Sequence, residues 1–598
     1  MEPARQRYAT ISDYGLIGDC HTSALVSQYG SVDWFCPDRF DRASVFAALL
    51  DVSHGGSWSI RPVSADVRAV QRYLSNTNVL ETVFETSTGT ARVIDFFAVP
   101  PSGPPKIASA GSTLIRIVEG VEGRVDFVSH FVPRFDYGSI VPSIELGSES
   151  VTCRGGTHTM ILSHPDHVSF NGEGATCFVA ALDEPCAFTC SSLDAPGLVW
   201  REAHQALQDT CTYWTRWASQ CRYAGPYHEA VTRSALVLKL LTYAPTGASV
   251  AAPTTSLPEW IPGQRNWDYR YTWLRDSSLM ATALHRLGYQ DEADAWVQWM
   301  VRHVLPSLTD ARLAIMYSID GAPVPSEREL SHLEGYRGCA PVRIGNGARG
   351  QVQLDVFGDM LLAIYQIVGI KGPMAEDVQD LVSRLADATE VNWERADQGI
   401  WEVRSEPRQF IYSKAMCWAA LDRACRFHDC LPASEEKRWT HARKAVHDWL
   451  MNTGYDAQVH AFTQAEGSHL MDGANLRLVG LGLLPKGDPR LRSTVDQTQK
   501  QLSKHGLLHR YNAVNDDGVG GREGAFVLLS FWMVDALLEV GRTSQAEELF
   551  EHLLSMANPV GLFGEEVDHD TSQILGNYPQ GYSHLALINS ACNLAANP

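Results

Sequence analysis

No CxxC pair occurs in this 598-residue chain, although it holds thirteen cysteines. An odd number of scattered cysteines in a chain of this size reads as reduced thiols, not as a disulfide framework or a zinc site. No metal-ligand spacing is visible, so neither a metal nor another cofactor is expected. No apolar run reaches the roughly 18 residues that would cross a bilayer. The opening residues MEPARQRYATISDYG contain no apolar core of a secretory signal, so a cytoplasmic location is expected. Basic residues are also short. Lys and Arg number 49 against 69 Asp and Glu, a net charge of −20. That field argues against nucleic acid or an anionic membrane as partner and suits a neutral or cationic small molecule. The oligomeric state is not legible.

What is present divides into two halves. Up to about residue 200, short β-rich runs such as TLIRIVEG, VDFVSHFV, THTMILSH and CFVAAL alternate with Gly, Pro, Asp and Ser turns. This spacing predicts antiparallel sheets packed as a β-sandwich over residues 1–197. Residues 198–226 read as a helical linker. From Tyr227 to the end, about twelve helices are expected, centred near residues 235, 282, 297, 362, 384, 420, 442, 476, 497, 532, 550 and 588. AMCWAALDRAC and AFVLLSFWMVDALL are apolar nearly all round. AEDVQDLVSRLADAT and SQAEELFEHLLSMA carry one apolar stripe. Helices apolar all round belong inside and amphipathic ones outside. Six of each, alternating, describe an (α/α)6 barrel over residues 227–598. The fold class is thus α+β in two domains. An open solenoid is the other way to stack so many helices, but no short repeat is visible.

The loops leading into inner helices hold the unusual chemistry. RNWDYRYTWLRDSS, Arg265 to Ser278, packs aromatics, arginines and aspartates into fourteen residues. Flat rings cover the apolar faces of a sugar while Arg and Asp grip its hydroxyls. A core segment with surface ion pairs would look similar if it stood alone. It does not, because GIWE, GGREGAF and GLFGEEVD fall on the same expected rim, the normal place for a pocket. Glu402 follows Trp401, and an acid against an apolar ring is desolvated and held protonated, as a general acid must be. Glu565, in the pair with Glu566, is expected to stay ionised among polar neighbours and act as base on water. Glycoside hydrolysis needs both roles on opposite sides of one bond.

RNWDYRYTWLRDSS, GYRGCAPVRIGN with QLDVFGD, GIWE with YSKAMCWAALDRA, and GLFGEEVD with LGNYPQGYSHLALINSA resemble, in order, the barrel motifs of glycoside hydrolase family 15, the glucoamylases and bacterial-type trehalases. The region from ISDYGLIGDC to ASVFAALLD is similar to the N-terminal part of the trehalase-like branch. The resemblance implies inverting, exo-acting hydrolysis of α-glucosidic bonds with release of β-glucose. It places Glu402 as general acid and Glu565 as general base. It puts Arg275 and Asp276 on the terminal glucose, and Tyr269, Trp273 and Trp401 around it. Glu566, Arg343 and Glu523 are further binding candidates, the last two as looser matches. Trehalose or a short gluco-oligosaccharide is the expected substrate, with malto- or isomalto-oligosaccharides next. A repurposed sugar-binding barrel is the non-enzymatic reading. A phosphorylase would need a phosphate site in place of Glu565. A terpene cyclase would need a DxDD cluster, whereas NDDG at Asn515–Gly518 reads as a turn. Departures from the family pattern at Glu334, at Glu406 with Pro407, and at Arg522 are expected to alter the pocket mouth.

Overall fold

The computed structural model describes residues 8–108, 111–165, 168–170, 174–181, 185–192, 197–308, 311–369, 374–427, 432–511 and 517–596. The four β-rich runs named above become strands Thr113–Gly123, Val125–Val132, His158–Ser163 and Ala175–Ala181; Leu182, the last residue of CFVAAL, lies outside the described residues. They belong to two antiparallel sheets, one of seven strands and one of eight. Alternate side chains of Val125–Val132 are buried, the period-two pattern of a strand with one face on a core. In the register with Ser57–Pro62, Trp58 lies opposite Phe131, and their rings meet edge to face at 5.7 Å.

One fully buried ion pair ties the sheets together. Arg116 and Asp95 of the eight-stranded sheet bond at 2.7 Å with no solvent exposure. The same guanidinium donates to the carbonyls of Trp58 and Gly30, at 2.8 and 2.9 Å, on the other sheet. With its donors used, the charge is buried without an orphan, which is the condition for such a pair to be tolerated.

Helix α1 (Trp200–Ala218) leads from the sandwich to the barrel. The barrel helices follow: α2 (His228–Leu240), α3 (Leu274–Arg286), α4 (Gln290–Trp299), α5 (Asp355–Val368), α6 (Glu376–Asn392), α7 (Ile411–Cys425), α8 (Ala433–Trp449), α9 (Leu478–Leu481), α10 (Pro489–Leu502), α11 (Val527–Glu539), α12 (Thr543–Leu554) and α13 (Gly581–Ala596). These are the twelve expected helices. α3, α5, α7, α9 with the 3-10 turn Gly473–Arg477 before it, α11 and α13 pack side by side as the inner ring. Every residue of α7 except Arg423 is buried. Outer α12 buries only Ala546, Phe550 and Leu553, the i, i+4, i+7 stripe. Asp488 caps α10 by accepting the Arg490 N–H at 2.9 Å, with Pro489 in the first turn. No helix among the described residues is long and apolar enough to cross a membrane.

The sandwich docks on the barrel through specific bonds. The Trp34 indole donates to the Pro253 carbonyl at 2.8 Å, and the Tyr578 hydroxyl to the Tyr14 carbonyl at 2.9 Å. Arg270, fully buried on Asp268 at 2.7 Å, donates to the Arg42 carbonyl at 2.8 Å. Part of the RNWDYRYTWLRDSS cluster is therefore structural. Glu334 has a similar role and does not shape the pocket mouth. Its carboxylate accepts from the Tyr8 hydroxyl, and its backbone N–H donates to Asp51 at 3.1 Å.

Candidate active site

The N-terminal ends of the inner helices surround one pocket. It encloses about 700 Å³ of empty space including its open mouth. Arg275 and Asp276 stand in the first turn of α3. Tyr582 starts α13, and the Val527 N–H that opens α11 donates to the Glu565 carbonyl at 3.1 Å. Tyr269, Trp273, Trp401, Glu402 and Glu565 line the same pocket. Seven of the ten residues picked out from the sequence thus converge.

Glu402 sits in a tight turn after Gly399, with φ +57, the left-handed region that a non-glycine residue adopts only when held there. Its backbone N–H donates to the Gly399 carbonyl at 3.2 Å. The carboxylate accepts from the Trp273 indole at 2.7 Å and lies 3.3 Å from the Arg275 guanidinium. The expected partner ring, Trp401, is turned elsewhere: its indole donates to Asp472 at 2.8 Å. The indole that donates to Glu402 is therefore that of Trp273, 129 positions away, and not that of its sequence neighbour.

Glu565 precedes a small three-stranded sheet, Ala525–Phe526, Glu566–Val567 and Ile574–Leu575. It is only 3% exposed. One oxygen accepts from the Tyr269 hydroxyl at 2.6 Å, and the other, Oε2, has no hydrogen-bond partner. Burial, reinforced by the Glu259 carboxylate, pushes its pKa up to about 8, against the pull of Tyr269 and Arg510. The expectation of an acid kept ionised by polar surroundings is therefore corrected: these surroundings favour the neutral form in the empty pocket. Gly576 lies against it, and a Cβ there would come within 2.7 Å of both its Cβ and Oε2.

Arg275 is braced on four sides: by the Tyr582 hydroxyl at 2.5 Å, Gln353 at 2.8 Å, and Asp355 and Glu402 at 3.3 Å. Asp276 Oδ2 is buried 4.0 Å from the Arg275 guanidinium, and burial raises the pKa of the group to about 7.

The remaining three candidates stand outside the pocket lining. Glu566 is wholly buried behind Glu565 and accepts the Gly524 N–H at 2.6 Å. Glu523 pairs with Arg510 and lies 3.3 Å from Arg265. Arg343 donates to the Gln264 and Asn266 carbonyls and covers one ring, Trp267, at 4.7 Å.

Several residues in the pocket wall escaped the sequence reading. Glu259 and Asp517 are bridged by Arg265 at 2.6 and 2.7 Å, and Arg510 reaches Glu259 at 3.2 Å. Asp517 belongs to the NDDG segment, whose Asn515 and Asp516 lie outside the described residues. Trp267 has Arg404 4.4 Å from its ring centre as well as Arg343. Glu259, Arg265 and Arg510 could be recognised only as a set, and they come from distant loops. The spatial cluster Glu259, Glu523 and Glu566 has the proximity of a metal site. Arg510 pairs with Glu523, lies 3.2 and 4.0 Å from Glu259 and Glu566, and supplies positive charge where an ion would sit.

Comparison with known proteins follows this geometry. Residues 225–592 match the family described as Glycosyl hydrolases family 15, and residues 5–180 match the family described as Trehalase-like, N-terminal. A trehalase of Thermoplasma volcanium is 36% identical, over 98% of this chain and 94% of its own length. A trehalase of Mycolicibacterium smegmatis is 35% identical, over 99% and 92%. In fold, the chain is similar to a bacterial glucoamylase solved with acarbose, at TM-score 0.71 and 13% identity, covering 100% of this chain and 96% of that one. That neighbour's barrel agrees with the two-domain, β-sheet and α/α architecture described above. The chain belongs to glycosyl hydrolases family 15 and is a glycoside hydrolase.

Proposed function

We propose that the protein hydrolyses trehalose by inversion, with Glu402 as general acid and Glu565 as general base. One observation carries the assignment: two carboxylates line a single pocket, each held by a different aromatic donor, Trp273 for Glu402 and Tyr269 for Glu565. The trehalase relatives at 35–36% identity over nearly the whole chain support trehalose as substrate.

In this reading the terminal glucose sits over Trp273 and Tyr269, whose rings meet edge to face at 5.6 Å. The Asp276 carboxylate and the braced Arg275 guanidinium hold its hydroxyls. Protonated Glu402 gives its proton to the glycosidic oxygen as the C1–O bond breaks. Glu565 removes a proton from the water that attacks C1 from the opposite face. A carboxylate with a raised pKa is a stronger proton acceptor, so burial of Glu565 favours this step once the group is ionised. The Tyr269 hydroxyl bond favours that ionised form. The glycone leaves as β-glucose. The glycosidic oxygen stays with the second glucose, which leaves as α-glucose. Trp267, at the pocket wall between two guanidinium groups, is placed to meet that leaving sugar. The buried, unbridged thiols of Cys20, Cys36 and Cys417 suit the reducing cytosol.

The test is a glucose-release screen over trehalose, maltose, isomaltose, kojibiose, nigerose and soluble starch. Trehalose is expected to give the highest kcat/KM. A preference for maltose or starch would replace this substrate assignment, and no release from any of them would overturn the hydrolytic one.

A further inference from the structure

A second cavity opens at the opposite end of the barrel. It holds about 1070 Å³ of empty space on the same basis as the catalytic pocket. All six inner helices contribute to it; Asp359 and Trp532 come from the first halves of α5 and α11, while Arg286 is the last residue of α3 and Glu539 the last of α11. The catalytic pocket lies toward their N-terminal ends; Asp359 in the far cavity stands one turn of α5 from Asp355, which bonds Arg275 of that pocket at 3.3 Å.

The lining is built, not incidental. Arg286, Arg423 and Arg477 face Asp359, Asp535 and Glu539, three charges of each sign. Arg477 is fixed by Asp359 at 2.8 Å, by the Tyr412 hydroxyl at 3.1 Å, and over the Trp532 ring at 5.2 Å. Asp359 is 1% exposed, and its Oδ2 has no hydrogen-bond partner. A buried carboxylate oxygen without a hydrogen-bond partner is costly unless a ligand or water supplies a donor. Gln366 and Asn589 add amides that both donate and accept.

Charge decides the ligand class. Matched arginines and acids leave no net attraction for an ion. The C-terminal ends of six helices add partial negative charge, which disfavours an anion on the arginines. A flat indole beside carboxylates, guanidinium groups and amides suits a neutral molecule that offers apolar faces and many hydroxyls. We propose that this far-end cavity is a second binding site, distinct from the catalytic pocket, for a single neutral monosaccharide, with a hydroxyl donating to Asp359 Oδ2.

Glucose is the probe, because it is the product in the function proposed above. Crystals of the full chain soaked in glucose are expected to show sugar at both ends of the barrel, and calorimetry two binding events. Gly480 lines the cavity, and an added Cβ there meets no atom within 4 Å. Gly480→Tyr is therefore expected to fold, checked by thermal unfolding, and to remove one event. Asp359→Asn should weaken the same event by about tenfold or more, the loss of a hydrogen bond to a charged group. An empty far end at glucose concentrations that fill the catalytic pocket would overturn the proposal. So would sulfate binding there in preference to sugar, or two events surviving in Gly480→Tyr. Sugar at the far end with an empty catalytic pocket would sustain this inference while removing the proposed function.

Discussion

The Tyr269 hydroxyl donates to Glu565 at 2.6 Å, across 296 positions of sequence. It joins the aromatic loop before α3 to the acid in the loop before α13. It also fixes one carboxylate oxygen, while Oε2 is buried without a hydrogen-bond partner. Removing this bond as Tyr269→Phe should leave the fold unchanged. It should lower kcat by about tenfold, the worth of one hydrogen bond to a charged group, with a smaller change in KM. Steady-state kinetics check this, and an unchanged kcat would remove Tyr269 from the base's support.

Glu402→Gln and Glu565→Gln should each cost about 10²–10⁴-fold in kcat, the usual worth of a positioned acid or base. Thermal unfolding of the purified variants checks that the fold survives. A variant retaining more than a tenth of wild-type turnover would lose its assigned role.

The pH profile has a definite sign. Glu565 must be ionised to act as base, and in the free protein its pKa is raised to about 8. The profile of kcat/KM should therefore carry a limb from Glu565 well above the usual carboxylate range of about 4. Glu259→Gln removes a negative charge that holds Glu565 neutral, so the limb should move to lower pH. A shift upward, or none, would contradict the electrostatic account.

Gly576 has φ +74, and its missing side chain leaves room for Glu565. Gly576→Ala is expected to displace the carboxylate and cut kcat by tenfold or more, since about 1.4 kcal/mol of lost transition-state stabilisation is tenfold in rate. A crystal structure of the variant shows directly whether Glu565 has moved.

The barrel was legible because its inner and outer helices differ in how far round they are apolar, as α7 and α12 illustrate. The helix expected near residue 476 proved to be a 3-10 turn followed by one α turn, Gly473–Leu481. Arg275, Asp276, Glu402 and Glu565 were legible because they fall in loops leading into inner helices. The brace around Glu565 was not, since Glu259, Arg265 and Arg510 meet only in three dimensions. Arg270 and Asp268 look like their neighbours in sequence, yet they serve the contact with the sandwich. The indole that meets Glu402 comes from 129 positions away, and local sequence carries no sign of it.

The most direct test follows the anomers of freshly released glucose by proton NMR during trehalose hydrolysis, before mutarotation. Inversion at one carbon, with Glu402 and Glu565 in their assigned roles, predicts equal amounts of α- and β-glucose. Release of α-glucose alone would mean retention, and would contradict the water-activating role of Glu565.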